Sequence, residues 1–137
     1  MICNAVIDTN VLVSALLSDK ADTATVQILT NVFNGQITPI VSQKIIDEYT
    51  EVLSRKKFKI RKEYADYIVK SIIAFGILIY PISSGTILPD IDDIPFYDAT
   101  ITANDCIGKT YLVTGNTKHF PTESFIVNPR QLMELIE

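Results

Sequence analysis

The feature that most constrains this chain is an alternation. Short apolar runs of β-favouring residues take turns with stretches of helical period along nearly all of its 137 residues. "NAVID" (4–8), "ITPIV" (37–41), "ILIYPI" (77–82), "TYLVT" (110–114) and "SFIV" (124–127) read as five strands. Between them the spacing predicts helices over 10–18, 22–34, from Ser42 as N-cap to about Ser54, 62–75 and 95–105, with a last helix after Pro129. Gly76 reads as the stop of the fourth. Strands separated by helices pair in parallel, and the helices cover both faces of the sheet. The chain is read as one domain, 1–137.

Composition narrows the function. Hydrophobic residues make up 47% of the chain, which excludes disorder as its general state. No apolar run reaches the ~18 residues of a membrane span, and no basic leader opens the chain, so a cytoplasmic protein is expected. Cys3 and Cys106 are isolated, without the spacing of a zinc site or disulfide framework, and are expected as small buried side chains. The lone His119 cannot build a histidine-rich metal centre and reads as a loop residue. A net charge of −4 speaks against general nucleic-acid binding. The distribution is uneven, however: Arg55, Lys56, Lys57, Lys59, Arg61 and Lys62 supply six of the 12 basic residues.

In parallel α/β sheets, ligands sit beyond the carboxyl ends of the strands, near the switch in strand order. Asp8 ends the first strand, inside "VIDTN" and ahead of the apolar "VLVSALL". A carboxylate between two apolar segments must be a satisfied cap or part of a site. Glu48 falls at the edge of the apolar arc of its helix, where it reads either as a solvated flank or as a residue that reaches a crevice, while Asp47 points to water. In "DIDDIPFYDAT", Asp93 suits a helix N-cap or a site, and Asp98 lies roughly 140° around the helix from it. Carboxylates gathered at strand ends repel unless a cation intervenes, and hard cations such as Mg²⁺ or Mn²⁺ take oxygen ligands. Such a cluster points to metal-dependent phosphate chemistry. Glycine-loop and nucleophile-elbow motifs are absent.

These residues carry a resemblance. The chain resembles the PIN-domain family, in particular its small prokaryotic toxin components of toxin–antitoxin pairs, through "VIDTNVLVSAL", "VSQKIIDEYTEVLSRKKF", "DDIPFYDAT", "YLVTGNTKHFP" and "VNPRQLMELI" in that order. The resemblance implies a three-layer α/β/α sandwich around a parallel sheet of about five strands, and a Mg²⁺- or Mn²⁺-dependent ribonuclease acting on single-stranded RNA. It implies Asp8, Glu48 and Asp93 as metal-holding acids, with Asn10 and Thr114 holding acids and water in place. The family often has a fourth acid where this chain has Asn116, an amide that orients water without adding charge. Asp98 falls where a subgroup carries an acid and is kept as a supporting residue.

The resemblance also implies an antitoxin that covers the acidic cleft, commonly with a basic side chain, and a homodimer to which the apolar faces of residues 10–34 could contribute. The basic run 55–62 reads either as a solvated helix connection or as a track for the RNA backbone, with Phe58 available for stacking. Two rival readings stand beside the nuclease. One is a catalytically silent module that binds RNA or an antitoxin. The other is a haloacid-dehalogenase-like phosphatase, which needs a second acid where this chain has Asn10 and a lysine for which Lys109 is the nearby candidate.

Overall fold

The computed structural model describes residues 2–136. Five strands form one sheet: β1 (Cys3–Ile7), β2 (Ile37–Val41), β3 (Ile77–Leu78), β4 (Thr110–Val113) and β5 (Ile126–Val127). All pairings are parallel, in the order β3-β2-β1-β4-β5. Six helices flank it: α1 (Thr9–Leu17), α2 (Ala24–Phe33), α3 (Gln43–Leu53), α4 (Lys62–Phe75), α5 (Ile94–Cys106) and α6 (Pro129–Ile136). This is a three-layer α/β/α fold, as the sequence predicts. Among the described residues, no helix is long and apolar enough to cross a membrane.

The central strands are apolar on both faces because helices cover both. Ala5, Val6 and Ile7 of β1 and Leu112 and Val113 of β4 have no exposed surface. The chain starts at the middle of the sheet, builds outward through β2 and β3, then returns to add β4 and β5 on the other side. The strand order therefore reverses between β1 and β4. Their register pairs Ile7 with Val113. Asp8 and Thr114 are the next residues on each strand, so they face one another across the switch point.

Strands 3 and 5 are shorter than their apolar runs. β3 pairs with Ile40 and Val41, and β2 ends there because Ser42 opens α3, so past the Ile79 N–H, which donates to the Val41 carbonyl at 2.8 Å, the run has no strand to pair with. The chain then leaves the sheet toward Pro81. Gly76 does stop α4, but through space rather than backbone freedom. Its φ is −102°, and a Cβ there would stand 2.5 Å from the Pro39 carbonyl oxygen and 2.6 Å from that of Ile72. A second correction concerns the cysteines. Cys3 is buried in the core as expected, but Cys106 is exposed, because it lies in the last turn of α5 beyond the helix's covered face.

Candidate active site

Each polar letter of "VIDTN" has a separate partner. Asp8 occupies the N-cap of α1, yet its carboxylate makes no cap hydrogen bond. It turns toward β4 instead, where the Thr114 hydroxyl donates to Asp8 Oδ2 at 2.6 Å. Asn10 Nδ2 donates to the same oxygen at 3.2 Å. The Asn10 side-chain oxygen Oδ1 accepts from the Gly115 N–H at 3.1 Å, and the Thr114 hydroxyl oxygen accepts from the Asn116 N–H at 3.0 Å. Thr9 donates its hydroxyl to Glu48 Oε2. The turn after β1, the turn after β4 and helix α3 are thus tied together by the groups that orient two carboxylates.

Glu48 is half-buried on α3, whose apolar face is Ile45, Tyr49 and Leu53. Ser42 caps this helix by accepting from the Ile45 N–H at 3.3 Å. Tyr49, one residue on, is 1% exposed and donates its hydroxyl to the Ile7 carbonyl at the end of β1. Burial, and then the charges of Asp8 and Glu48, push its phenol well above the ordinary tyrosine range. The bond locks α3 to the strand end that carries Asp8. Replacing Tyr49 with Phe keeps the ring and removes the donor. It is expected to cost about 1–2 kcal/mol in urea denaturation, with an unchanged m-value.

Asp93 arrives from the third strand–helix connection. It occupies the N-cap of α5 but makes no cap bond, and the local turn is capped by Asp90, which accepts from the Asp92 N–H at 2.9 Å. The Asp93 carboxylate instead meets His119, with Nδ1 3.2 Å from Oδ2. Sequence reasoning left His119 as a loop residue. The available signal was its place four residues after "TG", in the turn that follows β4. Thr9 was also missed as the partner of Glu48, although it lies beside Asp8 in the same motif.

Asp8 acts on the other two acids. Burial raises Asp8 above the usual carboxylate range, against the lowering effect of hydrogen bonds from the Thr114 side chain, the Thr9 backbone N–H and the Asn10 side chain. Burial also raises Glu48, with the charges of Asp8, Asp92 and Asp93 adding to it and the Thr9 bond opposing. Asp93 is raised by burial and then by Asp8 and Asp90, with His119 opposing. Three carboxyl groups with raised values at one strand-end crevice hold negative charge that the fold itself does not neutralise.

The donor set is hard oxygen, the chemistry that suits Mg²⁺ or Mn²⁺. Among the described residues, no group of three or more His, Cys, Asp or Glu side chains stands close enough to ligate one ion together. A cation held by these acids would take part of its shell from water, as Mg²⁺ usually does. Asn116 is exposed in the turn after β4. Asp98 does not join the acids. It is buried on α5, and its Oδ1 accepts from the Ser84 hydroxyl at 2.6 Å and the Ser84 N–H at 3.1 Å. It staples the segment that follows β3 to α5.

The sequence model of one family, described as PIN domain, matches residues 4–118, most of the chain and all three acids. No curated protein matches it.

Proposed function

Because the chain belongs to the PIN-domain family, whose members are generally nucleases that use divalent metal ions, we propose that it is a Mg²⁺- or Mn²⁺-dependent endoribonuclease of single-stranded RNA. The observation that carries this reading is the gathering of Asp8, Glu48 and Asp93 at the switch point of the sheet, each raised by burial, with the charge of Asp8 raising Glu48 and Asp93 further. Asp8, Glu48 and Asp93 are the residues that would hold the cation. When bound, it would polarise a phosphoryl oxygen and bring the pKa of a bound water toward neutrality.

The chain's own residues supply orientation. Thr114 and Asn10 fix the Asp8 carboxylate, and Thr9 fixes that of Glu48, so neither has to reorganise as the phosphate arrives. Asn116 and Thr114 position water for in-line attack. The basic run 55–62 guides the RNA backbone past acids that would otherwise repel it.

We read the protein as the toxin of a toxin–antitoxin pair, acting in the cytoplasm. An apolar groove of about 550 Å³ between α1, α2 and α4, lined by Leu16, Leu29, Phe33 and Tyr67, supports a protein partner such as the antitoxin. A homodimer through the apolar surfaces of α1 and α2 is the other partner proposal.

The test is cleavage of end-labelled single-stranded RNA with Mn²⁺, Mg²⁺ or chelator. Cutting is expected only with metal, and cutting that survives the chelator would sink the reading. Metal should also raise the melting temperature. At about 100 times its dissociation constant the gain is about 2.7 kcal/mol, removed by chelator. Metal binding with no turnover on any RNA would favour the silent module, for which Asn116 in the fourth acid's place is the motivating observation. The phosphatase reading lacks its second acid, since Asn10 is committed to Asp8 and Gly115.

A further inference from the structure

We propose that Arg55 is the residue that grips a phosphate of the RNA beside the acid cluster, and that Glu51 is the positioning residue that aims it. The inference rests on the nuclease reading and sorts the basic run into one gripping residue and its neighbours.

Glu48, Glu51 and Arg55 follow one another at helical spacings of three and four. The spacing of seven sets Arg55 two turns beyond Glu48, on the side of the helix from which both leave. Helix α3 ends at Leu53 and closes through a tight last turn, in which the Arg55 N–H donates to the Val52 carbonyl at 3.1 Å before the backbone extends at Arg55 itself. Glu51 holds the guanidinium by two bonds, Nε to Oε1 at 3.2 Å and Nη2 to Oε2 at 2.8 Å. That fork occupies one edge of the planar group and leaves the other to solvent, with the side chain 47% exposed. A guanidinium held on one edge and open on the other is prearranged to bind a phosphate by two N–H groups.

Two other members of the run are held elsewhere. Lys57 Nζ lies over the Phe58 ring at 5.1 Å, and Lys62 pairs with Asp66 of α4 at 2.9 Å. Arg55 is bonded to the helix that carries Glu48. Its guanidinium is held above its ordinary value chiefly by the Glu51 bond, and the charges of Glu48 and Asp92 reach it as well. It stands at the edge of the acid cluster, where an approaching polyanion most needs a fixed positive charge.

As a surface pair, Glu51 and Arg55 would add little to stability. A role in binding separates from that reading by kinetics. The variants are Arg55→Ala, Arg55→Gln and Glu51→Ala, with Arg130→Ala as the matched control. Arg130 also forms an exposed pair four residues apart, with Glu134 on α6. Steady-state cleavage and salt-dependent binding of single-stranded RNA are measured for each, after melting curves confirm folding.

Both Arg55 variants are expected to raise KM about tenfold with kcat within about twofold. They should flatten the dependence of log affinity on log salt by about 0.7, one phosphate's worth on a single strand. Glu51→Ala should raise KM about threefold, and Arg130→Ala should change neither quantity. Equal effects of Arg55→Ala and Arg130→Ala would overturn the inference and leave the nuclease standing. A wild type that neither binds nor cuts RNA would overturn both.

Discussion

Asp8→Asn is expected to lower metal-dependent RNA cleavage by about a thousandfold or more, equivalent to about 4 kcal/mol of transition-state stabilisation. The loss should fall on kcat, because the amide keeps the shape and an acceptor for Thr114 while removing the charge that would hold the cation. The same variant should fold at least as well as wild type, with the metal-free melting temperature raised by a few degrees. The sign follows from the raised carboxyl. A group whose value lies higher in the folded state binds its proton more tightly there, so folding stability is lost as pH rises through the interval between its ordinary and raised values. Asp8 has been raised by burial, and its negative charge in turn raises Glu48 and Asp93. Removing that charge relieves all three. The advantage of the variant should therefore shrink as the solution is acidified and the wild-type carboxyls protonate. Proteins purified in parallel and compared by cleavage and by melting at pH 7 and pH 5 would check both halves. Equal cutting by the two proteins would trace the activity to a contaminant, and a variant that melts well below wild type would make Asp8 a structural cap.

The second large effect is on folding. Gly76→Ala should destabilise the chain by about 3 kcal/mol, about 10 °C in melting temperature for a domain of this size. The added methyl would meet two backbone carbonyl oxygens, those of Pro39 and Ile72, at 2.5 and 2.6 Å. Neither can swing aside like a side chain, since Pro39 lies in β2, paired in register with Ala5, and Ile72 lies inside α4. Something larger must shift, either the end of α4 or the short β3 that follows it. Urea denaturation would measure the cost. A loss under about 0.5 kcal/mol would mean that the α4–β3 junction relaxes freely, and that the close approach is not what selects glycine.

Much of the site was legible as chemistry before it was legible as geometry. Asp8 could be singled out because an acid between two apolar segments demands an explanation. The angular position of Glu48 on an amphipathic helix left it open between a solvated flank and a crevice residue, and the family resemblance pointed to the second. Asp93 was open between cap and site, and the structure turns it from capping toward His119. His119 itself was passed over because a lone histidine carries no periodicity and no spacing. Its meaning lies in a partner 26 positions earlier in the chain. Asp98 shows the opposite limit. It belongs to the same acidic stretch as Asp93, yet the turn of α5 points it to Ser84. The third and fifth strands were overextended for a similar reason. An apolar run reports the wish to be buried, whereas strand length depends on whether a neighbour offers backbone groups to pair with, and β2 stops offering them after Val41, where α3 begins.

What the sequence determined by itself was the class of fold and the inventory of the site. Alternating strand and helix periods leave a covered parallel sheet as the arrangement that buries the apolar runs, and the acids, amides and hydroxyls are present in "VIDTN" and "TGN" whatever the packing. Only the tertiary structure decided which of them meet. The register that sets Ile7 beside Val113 brings Thr114 to Asp8 across 106 residues of chain, and the packing of α3 brings Glu48 to Thr9. Those contacts follow from strand order and helix docking, long-range choices made by the burial of the whole core, which no local stretch of residues encodes.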